Sequence, residues 1–189
     1  YDTFMDAMKR AGAELLNRGQ LEAVKKEVFT FKPGDGGCSH PVLNRKFVGA
    51  DATVLAQVAG ATVPAGTEML IAETEPDDLF VAEEQMMPLL PIVRVPDFAT
   101  AVAQAKASEH NYRHSAMIHS MNVASMTHMA QAMDTTLFVK NGPCVAGLGM
   151  GGEGYISFSV ATATGEGITT PRTFTRFRRC TLVESLNFI

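Results

Sequence analysis

Residues 90–139 read LPIVRVPDFATAVAQAKASEHNYRHSAMIHSMNVASMTHMAQAMDTTLFV, and the rhythm of this stretch decides the fold. Leu90–Val95 is an apolar, β-branched run that predicts a strand, with Pro91 best placed at its start. Asp97 then stands where a helix cap is needed, and Phe98, Ala101, Val102 and Ala105 follow at i, i+3, i+4 and i+7. Ser115–Ser120 predicts the next strand. Asn122 caps a second helix with Val123, Met126, Ala130 and Met133 inward, and Thr135–Val139 gives a third strand. Strand, helix, strand, helix, strand at this spacing implies parallel pairing through right-handed crossovers, so the fold class is α/β with a mostly parallel sheet and flanking helices.

Working outward toward the N-terminus, residues 2–16 carry helical periodicity, with Asp2 as cap and Phe4, Met5, Met8, Ala11 and Leu15 on one face. Gly12 interrupts that pattern without ending it. Leu21–Phe29 predicts a second short helix. Phe31–His40, with its Pro and Gly content, predicts a loop. Asp51 caps a further helix that buries Val54, Leu55 and Val58 and ends at Gly60. Met69–Glu73 is a short apolar run and predicts a strand. Beyond residue 155 the chain turns β-branched and aromatic, predicting two late strands in an arm.

The chain has 189 residues, 46% hydrophobic and 19% charged, enough for one substantial domain, or for one domain with an appendage. A net charge of −4 argues against a broad nucleic-acid footprint. No apolar run is long enough to cross a bilayer, and the N-terminus lacks a secretory pattern. Three widely spaced cysteines, Cys38, Cys144 and Cys180, suit a reducing cytosol better than a disulfide framework.

Within Asn141–Tyr155, NGPCVAGLGMGGEGY, the residues Gly147–Gly152 satisfy G-x-G-x-x-G. A dinucleotide cradle needs a strand directly before it and a helix opening inside it. Here Lys140–Ala146 separate the strand, and the sequence that follows lacks helical periodicity, so the motif's context is missing. Cys144 invites a second reading as a nucleophile with backbone amides around it. No His, Lys or Arg lies within three residues to lower its pKa, and a half-buried packing cysteine is the plainer account.

His110, His114, His119 and His128 crowd one region. Four ligands at compatible metal spacing are not visible, and His114 and His119 differ by an odd number along a strand. Arg172, Arg176, Arg178 and Arg179 could grip phosphates, such as those of coenzyme A, or form a solvated or intersubunit face. Glu83 and Glu84 precede the apolar run QMMPLLPIV. Adjacent carboxylates suit surface charge, whereas Glu84 at a strand entrance could also bond a ribose hydroxyl.

Several of these segments together, EEQMMPLLPIVRV, RHSAMIHSMNVASM, MDTTLFVKNGPCVAGLGMGGEGY and ATGEGITTPRTFTRFRRC, resemble the C-terminal part of CoA-acylating aldehyde dehydrogenases. The likeness is to the ethanolamine- and propanediol-utilisation type of bacterial microcompartments. It runs through nearly the whole chain, weakest over 1–68 and most specific over 134–180. The resemblance implies NAD-linked oxidation of a small aldehyde through a cysteine thioester, with acyl transfer to coenzyme A. It also implies that Glu84 holds the nicotinamide ribose, that Met86 lies on the nicotinamide side, and that His114 with Asn141, Gly142, Pro143 and Cys144 belongs to the substrate pocket. The arginine-rich tail corresponds to an oligomerisation strand.

The resemblance divides the chain into a catalytic-domain portion, 1–155, and a C-terminal β oligomerisation arm, 156–189, with no nucleotide-binding domain in front. The family's nucleophile sits in a segment similar to NNLPCIAEKEV, and nothing like it occurs here, so no catalytic residue is expected within these residues. A non-catalytic oligomerisation or coenzyme A-binding module of the same fold is the competing expectation. The expected location is the cytoplasm or a microcompartment lumen, in a homo-oligomer, with no metal, nucleic acid or membrane partner.

Overall fold

The computed structural model describes residues 1–33, 39–152, 169, 171–181 and 183, with Ser39 described in its backbone alone. The chain forms two compact units, Tyr1–Gln104 and Ala105–Ile189.

In the first unit the central element is β4, Met69–Thr74, paired in parallel with β1, Ala13–Leu15, on one side and β5, Leu89–Val93, on the other. Leu70, Ile71 and Ala72 are each at most 1% exposed, so β4 is covered on both faces. This is why MLIAE reads as a continuous apolar run and not as an alternation. Leu70 and Ala72 join the main core with Leu21, Val24 and Val28 of α2, Arg18–Val28, and with Leu55 of α3, Ala52–Val58. Ile71 faces the other way, against Met5 of α1, Asp2–Arg10, and Ala13. Asn17 opens α2 with a reciprocal capping box, its side chain bonding the Gln20 N–H and the Gln20 side chain bonding back.

Four expectations are corrected here. The helix expected over 2–16 ends at Arg10, because Gly12 turns the chain at φ 89° and residues 13–15 pair with β4 instead. Of its expected inner face only Met5 is buried and Phe4 is exposed; Tyr1, not Asp2, is the capping residue. The segment 31–40 contributes the arms of an antiparallel hairpin, β2 (Phe29–Pro33) and β3 (Ser39–Leu43), and Cys38 lies outside the described residues. Pro91 sits in mid-strand opposite Ala72, tolerated because β5 is an edge strand among the described residues.

A short helix that the sequence did not announce, α4 (Leu79–Ala82), is capped by Asp78, whose Oδ1 accepts from Phe80 N at 2.9 Å. The other Asp78 oxygen takes Lys25 Nζ at 2.7 Å, and Glu22 takes the same ammonium at 2.6 Å. Burial works against the Lys25 charge, but these two carboxylates outweigh it and raise the lysine pKa above its ordinary 10.5.

In the second unit β6, Ser115–Ile118, and β7, Leu137–Lys140, pair in parallel with α6, Val123–Met133, between them. Asn122 caps α6 as expected, accepting from Ser125 N at 3.1 Å. Before it, α5 (Phe98–Ser108) is capped by Asp97, which accepts from Thr100 N at 2.8 Å. The tail differs from expectation: residues 171–174 form a 3-10 turn and 175–181 contain no strand. A strand requires a partner ladder, and the described residues offer none to this segment. The remainder of the expected arm, 156–168 and 184–189, lies outside the described residues.

Candidate functional site

In the first unit an open groove of about 650 Å³ lies at the amino ends of β4 and β5. Its walls come from the entry to α3 (Gly49, Asp51), the turn before β4 (Glu68) and the approach to β5 (Met86, Pro88). Met86 stands in a left-handed backbone conformation, φ 40°, and its carbonyl accepts from Gly49 N at 3.0 Å. That bond ties the α3 entry to the β5 approach and leaves the Met86 side chain 63% exposed. Glu84, two residues earlier, is an exposed carboxylate and is not among the groove walls. Between them, Gln85 donates from Nε2 to the Phe80 carbonyl at 2.7 Å, while its Oε1 is buried without a partner among the described residues.

In the second unit the glycine-rich loop leaves the carboxyl end of β7, the edge where open parallel sheets bind ligands. Asn141 is left-handed at φ 56°, and its carboxamide closes on the backbone of Ser120 at the end of β6. Cys144 begins a 3-10 turn over Cys144–Leu148, directly after Pro143. Gly147 lets this turn lie on β7, since a Cβ there would meet Val139 Cγ2 at 3.2 Å. Gly149 closes it in a left-handed conformation. No α-helix opens within the described part of the loop, through Gly152. Cys144 is a half-buried free thiol with no hydrogen-bond partner among the described residues.

His114 is placed apart from that loop. It immediately precedes β6, and its carbonyl accepts from Leu137 N at the amino end of β7. Asn141–Cys144 lie at the opposite, carboxyl end, about 13 Å along the strands at the usual rise for four residues. The His114 ring bonds Ser115 Oγ at 3.0 Å, and the His114 backbone N–H donates to Glu109 Oε1. His110 lies beyond α5 in a left-handed conformation, so it and His114 share no helical face. Among the described residues no three of His, Cys, Asp and Glu gather where a metal could sit. All four tail arginines are exposed, and Arg172 rests 5.5 Å from the Phe177 ring.

One cluster escaped the sequence reading. Near the carboxyl ends of β4 and β5, Glu73 Oε1 accepts from Arg94 Nε at 3.1 Å and Glu73 Oε2 accepts from Tyr1 OH at 2.5 Å. The Arg94 guanidinium lies 3.5 Å from the centre of the Tyr1 ring and pairs with Asp2 at 3.5 Å. The Tyr1 hydroxyl, opposed by desolvation and helped by Arg94, holds the Glu73 carboxyl below its ordinary range. The only advance signal was opposite charge on adjacent strands, which is common on surfaces.

Comparison with known proteins places this α/β fold among the dehydrogenases that interconvert aldehydes and CoA thioesters. Propionaldehyde dehydrogenase of Rhodopseudomonas palustris, solved with bound propionyl-CoA, superposes with a TM-score of 0.84 at 39% identity, over 96% of this chain and 38% of that one. A propionaldehyde dehydrogenase from the fucose utilisation microcompartment of Clostridium phytofermentans gives 0.82 at 41%, over 98% of this chain and 41% of that one. An engineered glycolyl-CoA reductase with bound NADP+ gives 0.84 at 38%, over 96% of this chain and 40% of that one. In sequence, the acetylating acetaldehyde dehydrogenase EutE of Escherichia coli is 47% identical over 147 residues, 78% of this chain and 32% of its own length. The acetylating acetaldehyde dehydrogenase of Bilophila wadsworthia is 39% identical over 190 residues, spanning 100% of this chain and 39% of its own. No protein-family profile matches the chain. The chain belongs to the CoA-acylating aldehyde dehydrogenase family, and it matches only 32–39% of the length of these curated relatives.

Proposed function

We propose that these 189 residues form the C-terminal portion of an NAD-linked, CoA-acylating dehydrogenase of small aldehydes and are inactive by themselves. The overall reaction converts aldehyde, coenzyme A and NAD+ into acyl-CoA, NADH and a proton, through a thioester on a cysteine held outside this chain. The observation that carries the reading is similarity along the whole of this chain to 39% of the length of an acetylating relative, at 39% identity, together with the match to a propionyl-CoA complex. Residues of this chain have the chemistry to hold a nicotinamide ribose. Glu84 is an exposed carboxylate that accepts from hydroxyls, Met86 offers an exposed apolar surface, and Gln85 keeps a buried acceptor unpaired. NAD supplies the hydride acceptor when bound. The loop from Asn141 through Cys144 shapes the acyl pocket; the remoteness of His114 favours a supporting role for it at the amino end of β6. Assembly through the tail after residue 155 and residence in the cytoplasm or a microcompartment belong to the same reading. No helix among the described residues is long and apolar enough to cross a membrane.

The test has two arms. The product of the full reading frame containing these residues should form NADH from acetaldehyde or propionaldehyde only when coenzyme A is present. The 189-residue chain should form none. Turnover by the chain alone, or an inactive complete protein, would overturn the proposal. Tight coenzyme A binding in calorimetry with an inactive complete protein would establish the non-catalytic module instead.

A further inference from the structure

Asn141 is the only asparagine of the chain that a glycine follows. Glycine carries no side chain to shield its own backbone nitrogen, so the Gly142 nitrogen can reach the carboxamide carbon of the residue before it. Nothing in the fold asks for a glycine at 142. Its φ lies outside the left-handed region, and a Cβ there would meet Val139 Cγ1 at 3.5 Å and Ala146 Cβ at 3.8 Å, both ordinary contacts. The Gly142 N–H makes no hydrogen bond among the described residues, so reaction costs that nitrogen no partner. What opposes reaction is the other half of the pair. Asn141 Nδ2 donates to the Ser120 carbonyl at 2.9 Å, and Oδ1 accepts from the Ser120 N–H at 2.8 Å. Both bonds depend on a planar carboxamide, and attack at Cγ makes that carbon tetrahedral. The donor nitrogen of this clamp is also the atom that would leave.

We infer that Asn141–Gly142 is a self-modification site gated by its clamp on β6. When the carboxamide comes off Ser120, the Gly142 nitrogen bonds to Asn141 Cγ. The Cγ–Nδ2 bond breaks, and Nδ2 departs as ammonia with the proton that Gly142 loses. Water then opens the cyclic imide at one of its two carbonyls. Cleavage between Gly142 N and Cγ leaves aspartate; cleavage between Gly142 N and the Asn141 main-chain carbonyl leaves isoaspartate, whose main chain is one carbon longer. Neither product restores the clamp. Aspartate sets an acceptor against the Ser120 carbonyl, and isoaspartate shifts the loop where it leaves β7. Each event is one-way and opens the glycine-rich loop. The chemistry consumes only water and stands apart from the dehydrogenase reading.

The test ages the complete protein containing these residues in mildly alkaline buffer. Peptic mapping at low pH then follows the Asn141 peptide, where conversion of amide to acid registers as a mass gain. Isomerisation at Asp35–Gly36 changes no mass and falls in a distant part of the sequence, so it does not interfere. Unfolded in urea, the protein should convert Asn141 about tenfold or more faster than when folded, the factor that two hydrogen bonds supply. Gly142→Ala should keep the fold and suppress conversion in both states. Aged parent protein should show faster amide exchange at Ser120 and faster alkylation of Cys144 than Gly142→Ala aged beside it. Equal conversion rates in the folded and unfolded protein would overturn the inference. So would an Asn141 that stays unchanged in urea, or a Gly142→Ala protein that converts as fast as the parent. Converted protein that keeps the unaged rates at Ser120 and Cys144 would overturn the opening of the loop.

Discussion

Asn141 completes β6 with its side chain. Its Nδ2 donates to the Ser120 carbonyl at 2.9 Å and its Oδ1 accepts from the Ser120 N–H at 2.8 Å, so the carboxamide acts as one more peptide unit beside the strand. The backbone N–H of Asn141 donates to Ile118 O at 2.8 Å, fixing the point where the glycine-rich loop departs. Asn is suited to this position because it tolerates the left-handed conformation at φ 56° and carries a donor and an acceptor on one plane.

Replacing Asn141 should separate these two contributions. Asn141→Gly loses both hydrogen bonds but keeps the backbone unstrained, whereas Asn141→Ala loses the bonds and adds left-handed strain. Alanine should therefore be less stable than glycine by about 1 kcal/mol in urea unfolding. Asn141→Asp keeps the acceptor for Ser120 N–H but turns a carboxylate oxygen toward Ser120 O, and amide exchange at Ser120 should accelerate.

The Lys25 ammonium bridges α2 to the cap of α4, and the burden falls unequally on its partners. The Asp78 side chain is 10% exposed and also caps a helix, whereas that of Glu22 is 47% exposed. Asp78→Ala should cost about 2 kcal/mol, and Glu22→Ala less than about 0.5 kcal/mol. The folded-state lysine pKa is raised, so its contribution is fully present below 10.5 and is lost as pH rises through the folded value. Chemical denaturation across that alkaline range should show stability falling in the parent, and falling less in Lys25→Met.

The parallel α/β rhythm of 90–139 was legible because caps and apolar spacing agree there: Asp97 and Asn122 cap as their positions require. The N-terminal segment misled for a definite reason. Ala13–Leu15 continues the helical spacing of α1, and only pairing with the buried β4 makes it a strand. Short helix α4 has too few residues to show periodicity, and its cap is half of a tertiary ion pair. Of the site residues, Met86 lies before the amino end of β5 and Asn141–Cys144 follow the carboxyl end of β7. The opposite-end placement of His114 follows from strand direction, which a list of spacings does not carry.

Phe80 anchors α4 to the first unit's core. It is 2% exposed and meets the Phe29 ring edge-on, with centroids 5.2 Å apart. Phe80→Ala removes a buried ring and leaves a cavity between α4 and β2, a change that ordinarily costs about 3–5 kcal/mol. Phe80→Leu should recover more than half of that loss. Because Asp78 caps this helix, the cavity variant should also release the Lys25 pair. The double variant Phe80→Ala with Asp78→Ala should then be less destabilised than the sum of its parts, as urea unfolding would measure.

The glycine loop offers a comparison of two close approaches. A Cβ on Gly147 would press on the Val139 and Leu137 side chains, which can give by a few tenths of an ångström. On Gly152 a Cβ would collide with the backbone carbonyl of Ala146, which is locked inside the 3-10 turn by the Gly149 N–H. Gly147→Ala should therefore cost less than about 1 kcal/mol, and Gly152→Ala about 1–3 kcal/mol or a displaced turn. Displacement would free Cys144 from its half-buried position, so its alkylation by iodoacetamide should speed up in Gly152→Ala and not in Gly147→Ala. Equal alkylation rates in the two variants would show that the turn is held by something other than this backbone contact.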